Sequence, residues 1–126
     1  MLLADRHHGL RDSVRGLLET TFDAVFMVAD EASLLEGIGR LRPEIVVIDM
    51  SLSSGSAQDL IANVAERAPG SKVIMLSVHD EPTVAEAALN AGADAVVLKR
   101  GLATDLLSAI DSVRAGNHYL SPEIAK

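Results

Sequence analysis

Glu44-Ile45-Val46-Val47-Ile48-Asp49 sets four consecutive β-branched residues between two acids. A strand with one wet face alternates apolar and polar side chains. An unbroken run predicts burial on both faces, as in the middle of a parallel sheet. Pro43 separates this strand from a helical segment before it. The Ser/Gly-rich stretch Ser51–Ser56 leads into helical periodicity over Ala57–Ala68, and Pro69-Gly70 is a turn. Downstream, Lys72–Ser77 and Ala95–Lys99 read as the fourth and fifth strands. Upstream, Met1–Asp5 and Ala24–Val28 read as the first and second.

The intervening segments carry helical spacing. His7–Thr21 lines Leu10, Val14, Leu17 and Leu18 along one face. Ser33-Leu34-Leu35-Glu36 reads as a capping box opening the second helix, which Gly37 and Gly39 should leave short or loose. Pro82–Ala91 is closed by Gly92, and Thr104–Ala115 stops at Gly116 with Leu106, Ile110 and Val113 inward. Each connection is long enough for the helical crossover that parallel pairing requires. The expected fold is therefore α/β: a doubly wound five-stranded parallel sheet with helices on both faces.

The 126 residues suit one domain, and 48% hydrophobic with 23% charged content is globular composition. With no cysteine, a disulfide scaffold, a thiolate metal site and a Cys nucleophile are excluded. The net charge of −7 repels phosphate backbones, and Phe22, Phe26 and Tyr119 are the only aromatic residues. Direct nucleic-acid binding by this domain is accordingly not expected. No apolar run approaches the roughly 20 residues of a membrane span. The start Met1-Leu2-Leu3-Ala4-Asp5 lacks the basic opening and long apolar core of a signal peptide, so a cytoplasmic location is expected. No Gly-x-Ser-x-Gly elbow or Gly-rich phosphate loop is present, which argues against a classical enzyme.

In a parallel sheet all strand C-termini share one edge, where open α/β folds bind their ligands. That edge gathers Asp5-Arg6, Asp49, Ser77 and Lys99 from remote stretches of chain. A carboxylate at the end of a buried strand needs partners, and Lys99 can supply one. The bland alternative is a structural ion pair capping the sheet edge. The set suits phosphoryl capture: a carboxylate attacks phosphorus while a divalent cation, a Lys and a hydroxyl spread the charge on the phosphoryl oxygens.

With these residues in place, the chain resembles the receiver (CheY-like) domain of bacterial two-component response regulators of the NarL/LuxR type. The resemblance rests on Leu2-Leu3-Ala4-Asp5 with His7, Ile45–Asp49, Lys72–Ser77, Ala91-Gly92-Ala93 followed by Leu98-Lys99, and Gly116-Asn117-His118-Tyr119-Leu120-Ser121-Pro122. It implies a flavodoxin-like fold with strand order 2-1-3-4-5. It implies that Asp49 accepts a phosphoryl group from a sensor histidine kinase. Asp5, Asp49 and the backbone carbonyl of Ser51 would hold Mg2+, Ser77 would contact the phosphoryl group, and Lys99 would pair with its oxygens. Phosphorylation would shift an inactive–active equilibrium read out by homodimerisation or by an attached output domain. The receiver domain would span 1–120. Residues 121–126, where Ser121-Pro122-Glu123 looks like a fresh helix start, would begin a linker to a C-terminal helix-turn-helix, DNA-binding domain.

The sequence departs from the family pattern at four places. Arg6 stands where the family has a second metal-binding acid, so Asp5 and Asp49 are balanced by Arg6 and Lys99 and the pocket is formally neutral. A unit charge at ~4 Å is worth about 4 kcal/mol even at an effective dielectric near 20, so Mg2+ is expected to bind weakly. Ser53 and Ala57 replace the family's Pro and Gly in the loop after Asp49, and Val96 stands at the aromatic switch position three before Lys99. These departures define an alternative: a phosphorylation-independent receiver acting as a dimerisation or protein-interaction module, with Arg6 imitating a bound metal's charge. A remoter alternative is a ligand-binding flavodoxin-like domain of cobalamin type, from Asp5-Arg6-His7-His8-Gly9, although its Gly falls one residue early. A metal site from Asp5, His7 and His8 is a further alternative, disfavoured because adjacent His residues at a helix start seldom face one ion.

Overall fold

The computed structural model describes residues 1–6, 8–53 and 55–124; at 8–11 and 13 only the backbone is described. His7, the side chains of His8 and Leu10, and Ser54 therefore lie outside the described residues. The elements are β1 (Leu2–Ala4), α1 (His8–Leu18), β2 (Phe26–Val28), α2 (Glu31–Leu41), β3 (Ile45–Asp49), α3 (Ala57–Arg67), β4 (Lys72–Ser77), α4 (Pro82–Ala91), β5 (Ala95–Leu98), α5 (Leu102–Arg114) and β6 (Tyr119–Leu120). The sheet is parallel throughout, in the order β2-β1-β3-β4-β5-β6. The five-strand order expected from sequence is contained in it.

Strand residues alternate between two cores. Val46, Ile48, Val73 and Met75 face α2, α3 and α4, packing on Leu34, Ile38, Leu60, Ile61, Val64, Ala85 and Ala88. Ile45, Val47, Ile74 and Leu76 face α1 and α5, packing on Val14, Leu18, Leu106, Ala109, Ile110 and Val113. Both faces of β3 are therefore dry, which is why its sequence shows no alternation.

Two expectations are corrected. The N-cap of α2 is Asp30, whose carboxylate accepts the Ser33 N–H at 2.7 Å. The helix thus starts three residues before the predicted capping box. Asp30 offers both an acceptor and a negative charge to the helix N-terminus, which leaves Ser33 inside the first turn. α2 also runs eleven residues despite its glycines. A Cβ on Gly37 would lie 3.3 Å from Leu2 Cδ2, so this glycine lets α2 settle closely on β1.

The second correction concerns the C-terminal stretch. Tyr119 and Leu120 add a sixth strand, in register with Ala95 and Val96. Ser121 and Ile124 are fully buried, and the Ile124 N–H donates to the Ser121 carbonyl at 2.9 Å, closing a turn. Packing on the domain thus continues through residues 121–124.

Candidate functional site

Asp49 ends β3 with its carboxylate 2% exposed. It caps the 3-10 turn Met50–Leu52: Oδ1 accepts the Ser51 N–H at 3.0 Å and Oδ2 accepts the Ser51 hydroxyl at 2.9 Å. Oδ2 also accepts from Lys99 Nζ at 2.7 Å. Lys99 follows β5 directly, two strands away from β3, and the intervening β4 fixes that spacing. Burial pushes the Asp49 carboxyl up, but the Lys99 hydrogen bond, the two Ser51 donors and the Lys99 charge together hold it below the usual carboxylate range.

Asp5 follows β1 and is fully buried. Ala4 pairs with Ile48, so Asp5 and Asp49 are the next residues along two neighbouring strands. Two buried carboxylates, with the Ser51 carbonyl in the turn after β3, are hard oxygen donors of the kind Mg2+ takes. Among the described residues no group of three or more His, Cys, Asp and Glu side chains converges.

Arg6 is exposed, and its Nη2 donates to the Leu52 carbonyl at 3.2 Å. It therefore spans from the end of β1 to the turn after β3, the turn that also orients Asp49. Ser77 ends β4 and is buried. Its Oγ accepts the His79 N–H at 2.9 Å and donates to the His79 carbonyl at 3.2 Å. Its hydroxyl is thus committed to its own loop. Val96, at the expected switch position, is a buried strand residue.

Asp49, Ser51 and Lys99 open onto a cavity of about 640 Å³ whose wall is completed by Met50, Ala57, Val78 and His79. The sequence reading takes Met50 as core filler or loop packing and places neither Val78 nor His79 at the site. The available signal was adjacency: Met50 follows one strand-end acid, and Val78-His79 follow the strand-end serine. Strand ends and the residues just past them share the ligand edge.

The family model described as response regulator receiver domain matches residues 1–111. The transcriptional regulatory protein UhpA of Escherichia coli (strain K12) is 33% identical over 125 residues, an alignment covering 98% of this chain and 62% of UhpA. This chain spans between 53% and 62% of the first four curated relatives it matches. A LuxR-family two-component response regulator from Aurantimonas sp. SI85-9A1 superposes with a TM-score of 0.86 at 26% identity, covering 98% of this chain and 90% of that one. The isolated receiver domain of RcsB from Salmonella enterica serovar Typhimurium, solved with the phosphomimetic BeF3−, shares the fold with a TM-score of 0.88 at 23% identity, covering 98% and 94%. The chain belongs to the receiver domains of two-component response regulators.

Proposed function

We propose that Asp49 is the phosphoacceptor of this receiver domain and that its donor is the phosphohistidine of a sensor histidine kinase. Receiver domains are regulatory rather than classical enzymes, and the only covalent chemistry here is on the chain's own side chain. A carboxylate oxygen of Asp49 forms a bond to phosphorus as the bond from phosphorus to the donor imidazole breaks. The imidazole leaves with the electron pair and takes up a proton. The observation that carries this reading is the 2.7 Å contact of Lys99 Nζ with a buried carboxylate that opens onto a cavity. Lys99 keeps Asp49 ionised, hence nucleophilic, and is placed to pair with incoming phosphoryl oxygens. Ser77 reaches the phosphoryl group only after releasing His79.

Asp5, Asp49 and the Ser51 carbonyl would hold Mg2+, which when bound neutralises charge on the phosphoryl oxygens. Arg6 weakens that binding by adding positive charge nearby. The proposed partners are the kinase, a second copy of the chain on activation, and a C-terminal DNA-binding domain of the same polypeptide, as the coverage of UhpA suggests. No described helix is long and apolar enough to cross a membrane, and the proposed location is the cytoplasm.

Incubation with acetyl phosphate or phosphoramidate and Mg2+ tests the reading. Intact mass should rise by one phosphoryl group, and Asp49→Ala should abolish the gain. A wild-type chain that gains nothing from either donor would overturn it. The second reading, a phosphorylation-independent interaction module, then takes its place. It is favoured by the Arg6 bond to Leu52, which already braces the turn with a built-in cation.

A further inference from the structure

Arg100 lies one residue beyond Lys99 and reaches in two directions. Its Nη2 donates to Asp80 Oδ2 at 3.0 Å, in the loop that follows β4. Its Nε donates to Glu123 Oε2 at 2.7 Å, in the segment that follows β6. That segment is anchored beneath the bridge. The Ser121 N–H donates to the Val96 carbonyl at 3.0 Å, the Leu98 N–H donates to Ser121 Oγ at 2.9 Å, and Ile124 is buried in the core under α2, α3 and α4. Leu98 precedes Lys99, and Asp80 lies three residues after Ser77. Both partners expected to attend a phosphoryl group are thus a few bonds from an anchor of the C-terminal segment.

The loop after β4 is held by Ser77. Ser77 Oγ holds both the N–H and the carbonyl of His79. It cannot keep that cap and also turn toward a group on Asp49, so engaging such a group frees His79 and Asp80 to move. Position 96 carries Val, which removes an aromatic ring there as a means of reporting the change.

We propose that Arg100 couples this loop to the chain's C-terminal segment, the Asp80–Arg100–Glu123 bridge acting as a clasp whose grip follows the setting of Ser77. The proposal rests on the phosphoacceptor reading only for what resets Ser77; the clasp itself is a property of the unmodified chain. All three side chains of the bridge are about half exposed, and such pairs are individually weak. Arg100 therefore tunes the hold on Tyr119–Ile124, while Ser121 and Ile124 supply its foundation. A weak clasp suits a switch, since a small displacement of Asp80 is enough to open it.

Amide hydrogen exchange of Ser121 and Ile124, read by NMR on the whole chain, tests the clasp. Arg100→Ala should speed exchange at both amides roughly two- to fivefold, the size that exposed ion pairs support. Ser77→Ala, which uncaps the loop without any phosphoryl chemistry, should speed it likewise. The double variant should be no faster than Arg100→Ala alone, because both changes open one clasp. Independent, multiplicative effects would overturn the proposal, as would unchanged exchange in Arg100→Ala. Beryllofluoride with Mg2+ supplies a separate arm, with the Ser51 amide shift reporting occupancy. Occupancy should speed exchange in wild type and add nothing in Arg100→Ala; occupancy with unchanged wild-type exchange would refute the coupling. Absence of any occupancy would count against the phosphoacceptor reading alone, and the two variants would still decide the clasp.

Discussion

Lys99 Nζ lies 2.7 Å from Asp49 Oδ2, across fifty residues of chain and two strands of sheet. The ammonium retains some solvent contact while the carboxylate has almost none. The pair is asymmetric: Lys99 can turn to water, and Asp49 cannot. Lys99→Ala strands a buried charge on the two Ser51 donors and should cost about 2–3 kcal/mol of unfolding free energy. In an Asp49→Asn background the same substitution should cost much less, since no anion is left behind. Urea unfolding of the four proteins checks the difference, and equal costs in both backgrounds would mean the contact contributes nothing to stability.

The same contact sets an acid limit on stability. The Asp49 carboxyl titrates below its ordinary value despite burial, because Lys99 and Ser51 favour the ionised form. Between that lowered value and the unfolded chain's ordinary value, about 3.9, the unfolded state binds the extra proton. The stabilisation from Asp49 is therefore full above pH ~4 and fades as pH falls through the lowered native value. Asp49→Asn should flatten the stability curve in that acid window and leave its slope between pH 6 and 8 unchanged. Unfolding free energies measured from pH 2 to 8 check this.

How far the sequence reveals the site depends on which contacts are topological and which are rotameric. The meeting of Asp49 with Lys99 follows from parallel strands whose ends share an edge, and the apolar runs of β3 and β4 announce those strands. β4 and α4 match their sequence-based bounds residue for residue, because Lys72–Ser77 is an unbroken run and Pro82 and Gly92 punctuate the helix. The start of α2 was obscured because Asp30 and Ser33 are both competent caps three residues apart. β6 was obscured because two residues are too few to show a period. The Ser77 hydroxyl and the Arg6 guanidinium are set by side-chain torsions, against His79 and the Leu52 carbonyl, and no spacing in the sequence encodes those choices.

Arg6 should govern metal affinity through its charge. Its guanidinium is held at the Leu52 carbonyl, close to a site whose carboxylates come from Asp5 and Asp49. Arg6→Asp replaces a positive charge by a negative one and supplies an additional oxygen donor. Mg2+ should then bind at least tenfold tighter, about 1.4 kcal/mol, with Arg6→Ala falling between the two. The chain has no Trp, so the measurement is calorimetry or the Ser51 amide shift against Mg2+ concentration. Equal affinities in all three proteins would show that the Arg6 charge does not reach the site.

The C-terminal segment offers a test of where the folded domain stops. A tether leaving a domain tolerates truncation of its side chains, because they are solvated in both the folded and unfolded states. Ile124 is fully buried in the same core that includes Val96, Leu98 and Ala88 and the inward faces of α2 and α3. Ile124→Ala should therefore cost about 2–4 kcal/mol, as expected for a large-to-small change with a residual cavity. Pro122→Ala, at an exposed position two residues beyond Leu120, the last paired strand residue, should stay within about 0.5 kcal/mol. The contrast isolates burial from mere proximity to the chain's end, since the two residues are separated by a single position. A loss of similar size at both would point to general fraying of the turn, whereas a loss confined to Ile124 makes this residue part of the receiver core.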